Sequence, residues 1–306
     1  KIMLDAYQQV STPGGERYPD VNKAINDKVN SGALIINYTG HGGEVGWAHE
    51  RILDIATINE WTNIDNLPLF VTATCEFSRF DDPARTSAGE LIILNPDGGG
   101  IGLLTTVRLV FSGANLSLNT SFYNNVFKPY NGQVPTMGDV FKLVKIANGS
   151  DNNTRNFTLL GDPALKLAYP KHNVTTVSVN GVPSSQVDTI RALSKVTITG
   201  YVSDSSGSKL NNFNGIIYPT VFDKYKQITT LNNDNNGTFQ FSVQNSKLFK
   251  GKASVVNGDF SYSFIVPKDI AYNYGSGKLS YYAQNNIEDA NGFFKGFVIL
   301  GTASSY

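Results

Sequence analysis

Cysteine is nearly absent: Cys75 is the only one in 306 residues. A single thiol excludes an internal disulfide, so cysteine pairing says nothing about the redox compartment. Histidine is almost as scarce, with His41, His49 and His172 as the full set. Three scattered imidazoles and one distant thiol lack zinc-ligand spacing, so no metal site is assigned. Charge is sparse at 16% and balanced, 25 basic residues against 25 acidic ones. A neutral chain without a basic stripe gives no reason to expect a nucleic-acid partner. No apolar run approaches the roughly 18 residues of a membrane-spanning helix. The first residues, KIMLDAYQQV, do not read as the apolar core of a signal peptide. G-x-S-x-G is missing, which removes the serine-hydrolase reading of a His-Gly-Gly loop. GSGK at Gly275–Lys278 lacks the P-loop spacing, and DGGGIG at 97–102 fails the dinucleotide pattern.

What is present is a chain with 41% hydrophobic residues, enough for two domains with real cores. Its two halves differ in periodicity. In YPDVNKAINDKVNSG, Val21, Ala24, Ile25 and Val29 share one helical face. ALIINY follows as a short apolar strand of the kind buried in a parallel sheet. A helical stretch near 53–61, a second buried strand in LPLFVTATC, and a helix in DDPARTSAGELIILN come next. Asp82 is the expected N-cap of that helix, with Pro83 at its first position. GGGIGLLTTVRLV supplies a third strand, and helical patterns recur around 115–127 and 137–147. Alternating strands and helices predict a parallel α/β sheet domain over residues 1–169. Beyond it, VTTVSV, KVTITGYV, GIIYPTVF, GTFQFSV and KASVV are short β-branched or aromatic runs separated by turn pairs such as Asn180–Gly181 and Asn257–Gly258. This pattern predicts an all-β immunoglobulin-like sandwich over 170–267. Residues 268–306 read equally as further strands or a linker.

Sites in open α/β sheets form beyond the carboxyl ends of the strands. His41 follows one expected strand by two residues, and Cys75 ends the next, 34 residues later. If those strands are neighbours, both side chains emerge at one rim. A thiol needs a base to ionise near neutral pH, and an imidazole can also protonate a leaving amine. Gly42, without a side chain, could turn its N–H beside that of Cys75 to form an oxyanion hole. A lone cysteine in an apolar strand is most often an inert core residue. It is the conjunction with the histidine loop that favours Cys–His acyl transfer. His49 and His172 lack that conjunction and are expected to be solvated. Trp47, Glu76 and Arg108 are expected to edge the cleft and contact substrate. A packed tryptophan and a surface arginine would explain Trp47 and Arg108 equally well.

YTGHGG followed by TATCEF resembles the gingipain family of caspase-like cysteine peptidases, as does the LLGDP segment at 159–163. GHGGEVGWAHERIL, TCEFSRFDDPARTSAGELIILNP, LDAYQQ and RYPDVNKAIN are most similar to the PorU-type sortase branch of that family. The resemblance covers residues 1–168 and implies His41 as general base and acid, Cys75 as nucleophile, and Gly42 with Cys75 as oxyanion donors. It also implies a protein of the bacterial cell surface, associated with the outer membrane. Its partners would be secreted cargo with C-terminal sorting domains, outer-membrane secretion components and a lipopolysaccharide amine acceptor. No cofactor is required, while structural calcium is known in the family. Two features depart from the pattern. The carboxylate that would orient His41 is not identified, and Glu76 and Phe77 follow the cysteine where caspase motifs carry a glycine.

Overall fold

A computed structural model describes residues 1–187, 189–270 and 273–300. Contacts divide the chain into two compact units. The first holds 1–169 with 230–238, and the second holds 170–229 with the residues from 239 onward.

The first unit is built on a four-stranded sheet: β1 (Ile35–Thr39), β2 (Leu69–Ala73), β3 (Gly102–Thr106) and β4 (Phe157–Gly161), in that spatial order. β1, β2 and β3 are mutually parallel, and β4 pairs antiparallel with β3. The sheet is therefore mixed, which corrects the all-parallel expectation. β4 comes from FTLLG, a strand that the local sequence pattern does not announce.

Every residue of β2 and β3 is buried, as apolar runs sandwiched between two helical layers should be. Their side chains alternate between faces. Phe70 and Leu103 join one core with Val21, Ile25 and Val29 of α1 (Pro19–Asn30) and with Ile92 of α3 (Ala88–Leu94). Leu69, Val71 and Leu104 join the opposite core. There they meet Leu118 and Phe122 of α4 (Ser112–Val126) and Val140 and Val144 of α5 (Met137–Asn148). A short α2 (Ile55–Asn59) completes the first layer. Each fully buried Val or Ile stabilises by roughly 1.5–3 kcal/mol, so α1 is held by its apolar stripe more than by propensity.

α3 begins five residues later than Asp82 as N-cap predicts. Ser87 is its N-cap, and Glu90 completes a reciprocal capping box, bonding the Ser87 N–H at 2.8 Å. Asp82 instead closes a tight turn by accepting from Ala84 N–H at 2.9 Å, so residues 82–87 form a loop.

The second unit is all-β. Its main strands are β5 (His172–Val179), β6 (Lys195–Ser203), β7 (Gly215–Phe222), β8 (Ala253–Val256), β9 (Asp259–Ile265), β10 (Lys278–Gln284) and β11 (Asp289–Phe294). They hydrogen-bond in the order β5-β6-β9-β8-β7-β10-β11, and a parallel pairing of β11 with β5 completes the circuit. Phe260, Tyr262 and Phe264 of β9 alternate into the core with Leu279, Tyr281 and Ala283 of β10. Asn180–Gly181 and Asn257–Gly258 all have positive φ, the two-residue turn that matches strand twist. Strands thus occur between residues 275 and 300, while 271, 272 and 301–306 lie outside the described residues. Residues 230–238, expected in the second domain, pack with the first unit. Asp5 accepts N–H bonds there from Asn232 at 3.0 Å and Asn233 at 2.8 Å.

Candidate active site

Thr39 of β1 sits opposite Ala73 of β2 in the ladder. His41 and Cys75 each lie two residues past that pair, at the same rim. Gly40 N–H still reaches the Ala73 carbonyl at 3.4 Å, so the strands stay together as they end.

The backbone of His41 is fixed from two sides. Its carbonyl accepts from the Tyr38 hydroxyl at 2.6 Å and from Ala48 N–H at 2.8 Å. Burial pushes the Tyr38 phenol well above its usual range, so it remains a donor. The imidazole itself is exposed, and its ring centroid lies 6.0 Å from that of His49. His49 is exposed as well, as its polar segment predicts, and the fold brings it beside His41.

Gly42 explains why the loop needs glycine. A Cβ there would meet Thr74 Oγ1 at 2.6 Å and the Gly46 carbonyl oxygen at 2.9 Å. The histidine loop therefore lies directly on the residue preceding Cys75. Gly43 is different, since a Cβ there would meet nothing within 4 Å. Residues 42–43 pair with 46–47 in a small hairpin that turns the loop back on itself.

Cys75 is half-buried, and its thiol points to the Val110 carbonyl, with Sγ and O 3.6 Å apart. Among the described residues no hydrogen bond joins Sγ to the His41 ring. A cavity of about 600 Å³ includes His41 and His49 in its lining but not Cys75. Register and backbone packing bring the two residues to one rim, and the side chains are not engaged in this conformation.

Glu76, next to Cys75, has φ of 50°, an unusual conformation for a side-chain-bearing residue. Its N–H bonds the Arg108 carbonyl at 3.3 Å. Arg108 forms a fork with Asp81, its Nη1 lying 2.8 Å from Oδ1 and its Nη2 on Oδ2. That hydrogen bond draws the Asp81 carboxyl below its usual range. The Arg108 guanidinium is thereby committed to Asp81, and the residue touches the site through its backbone. For Trp47 the packed alternative holds, and substrate contact does not. It is 2% exposed and stacks on Tyr38 at 4.4 Å, with Phe77 at 5.6 Å and Phe70 at 6.2 Å. It is a packed core residue under the histidine loop, and its indole plane supports Tyr38.

An ionic cluster was not anticipated. Glu44 Oε1 accepts from Arg79 Nη1 at 2.9 Å, and Glu44 Oε2 lies 3.1 Å from Arg85 Nε. Glu76 Oε1 lies 3.6 Å from the same Arg79 nitrogen. Opposite charges at short offsets from His41 and Cys75 were the available signal in the sequence.

The profile of Peptidase family C25 matches residues 1–168, more than half of the chain. The chain belongs to that family. Its curated relatives include gingipains. Gingipain R2 of Porphyromonas gingivalis strain ATCC 33277 is 26% identical over 181 residues, covering 54% of this chain and 24% of its own length. Gingipain R1 of Porphyromonas gingivalis is 27% identical over 184 residues, covering 52% and 18% respectively. Among solved structures, dimeric latent PorU from Porphyromonas gingivalis shares 27% identity over 60% of this chain and 18% of that one, with a TM-score of 0.43. The complex of Porphyromonas gingivalis RgpB pro- and mature domains shares 18% identity over 89% and 57%, with a TM-score of 0.44. The structural overlaps are partial, and membership in C25 stands on the sequence match. This C25 chain spans a quarter or less of the two gingipains' length.

Proposed function

We propose that the protein is a cell-surface cysteine endopeptidase with transpeptidase capacity, a sortase that removes C-terminal sorting domains from type IX secretion cargo. The supporting observation is the junction of the two loops. Matching register sets His41 and Cys75 at one rim, and Gly42 packs on Thr74 immediately before the nucleophile.

The chemistry follows from those groups. For reaction the two side chains must turn toward each other, and His41 then takes the thiol proton. The thiolate attacks the scissile carbonyl carbon, and the oxyanion is held by the N–H groups of Gly42 and Cys75. Each such donor contributes on the order of 10²–10³ in rate. Collapse breaks the C–N bond, His41 protonates the leaving amine, and a thioester remains on Cys75. Water or an amine then attacks the thioester, giving up a proton to His41, and the thiolate is released. An amine of anionic lipopolysaccharide would yield anchored cargo, and water would yield free cargo. No cofactor takes part in these steps. The all-β unit is read as the immunoglobulin-like domain that follows the catalytic domain in gingipains, and outer-membrane secretion components as its neighbours.

The test uses the full-length protein with a cargo peptide spanning the sorting-domain junction and an added amine. Mass spectrometry is expected to find both hydrolysed and amine-joined product. Hydrolysis alone would leave a plain gingipain-like protease. Cys75→Ala is expected to abolish both products. Cargo processing that survives this change would sink the enzymatic reading and leave a surface adhesin or scaffold.

A further inference from the structure

We infer that Arg79 is a positioning residue for the catalytic pair, holding the histidine loop and the cysteine loop in register through one nitrogen. The inference rests on the assignment of His41 and Cys75 to catalysis. Glu44 follows His41 by three residues, and Glu76 directly follows Cys75. Both carboxylates approach Arg79 Nη1, Glu44 at 2.9 Å and Glu76 at 3.6 Å. Two like charges drawn this near would repel without the guanidinium between them.

Three further facts make this a clamp between loops. Glu44 is 15% exposed, so its charge is poorly screened. Its second oxygen is held by Arg85, and its carbonyl accepts from Ala88 N–H at 2.7 Å, which anchors it to the start of α3. The Glu76 backbone sits at φ of 50°, with its N–H on the Arg108 carbonyl and its carboxylate on Arg79. A residue in that conformation persists only where its surroundings hold it. Arg79 therefore acts on both sides of the proposed oxyanion hole. Through Glu44 it presses the loop carrying Gly42 onto Thr74, and through Glu76 it sets the peptide that follows the nucleophile.

The test measures two quantities in the full-length protein: cargo-peptide turnover, and the rate at which iodoacetamide labels Cys75 at mildly acidic pH. Arg79→Met keeps most of the apolar stem and removes the charge. It is expected to lower kcat about 10²-fold with KM nearly unchanged, the usual effect of slight misplacement of reacting groups. It is also expected to slow labelling. Arg79→Lys returns a cation to the same place and is expected to recover most of the loss. Glu44→Gln, which preserves shape, covers the case where Arg79→Met fails to fold, with an expected loss of roughly tenfold because a charge-assisted bond becomes a neutral one. In a His41→Ala background the labelling effect of Arg79→Met is expected to vanish, since both changes act through one pair. If His41→Ala slows labelling but Arg79→Met and Glu44→Gln do not, the positioning role is refuted while the dyad stands. If His41→Ala has no effect on labelling, the dyad itself is refuted, and the clamp with it.

Discussion

Replacing Gly42 with alanine tests the junction of the two loops most directly. The added methyl would lie 2.6 Å from Thr74 Oγ1, 2.9 Å from the Gly46 carbonyl oxygen and 3.3 Å from Thr74 Cγ2. Two of these are well inside van der Waals contact, and one partner is backbone that cannot rotate away. Forcing a methyl into packed surroundings costs about 1–3 kcal/mol. For a unit of this size that lowers the melting temperature by roughly 2–4 °C per kcal/mol. The catalytic loss should be larger than the structural one. Relief of the clash moves the Gly42 N–H away from its proposed place at the oxyanion, and losing one such donor lowers kcat about 10²–10³-fold. The assay is kcat on a cargo peptide beside a thermal melt of the same full-length sample. Gly43→Ala is the control, since its Cβ enters open space, and it should leave both quantities unchanged. Adding Thr74→Ala to Gly42→Ala removes the closest contact and should restore part of the stability. Parental activity in Gly42→Ala, or equal damage from Gly43→Ala, would refute both the steric reasoning and the oxyanion role.

Trp47→Ala should destabilise by about 3–5 kcal/mol through loss of a buried ring, measured by denaturant unfolding, while cleavage-site preference in the surviving fold stays unchanged. Glu90→Ala breaks the capping box at Ser87 and should cost on the order of 1 kcal/mol, read as a shifted urea midpoint with the same slope. Burial pushes the Tyr169 phenol up to about 12 from 10.0. The folded state holds this proton more tightly, so the stabilisation is complete below pH 10 and is lost as pH rises to about 12. Tyr169→Phe should flatten the fall in stability across that window, and an unchanged slope would contradict the assignment.

The features legible in the sequence were those written in local chemistry. The α1 stripe of Val21, Ile25 and Val29, the buried β2 and β3, and the Asn-Gly turns all follow from spacing and composition. The failures have equally physical causes. Asp82-Pro83 offered a sound helix start, but Ser87 with Glu90 offered a better one, because two reciprocal bonds outweigh a single cap. β9 escaped notice because DFSYSFI alternates serine with aromatics, a half-buried pattern between turns rather than an apolar run. The antiparallel pairing of β4 depends on a partner some 50 residues earlier, which no local signal reports. At the site, His41, Gly42 and Cys75 could be singled out because glycine and a lone thiol are conspicuous. Arg79, Glu44 and Tyr38 look like ordinary surface and strand residues until the loops meet, and only the short offsets of the charges from His41 and Cys75 hint at the first two.

The two hydrogen bonds on the His41 carbonyl have a practical consequence. They grip the peptide and leave the imidazole free, so shape and chemistry at this position are carried by different atoms. Removing the ring need not disturb the loop that bears it. A His41→Ala protein should therefore keep its cleft and, under the proposed function, still accept cargo while lacking the proposed base. Such a protein would serve as a trap, holding uncleaved cargo long enough to be isolated and identified.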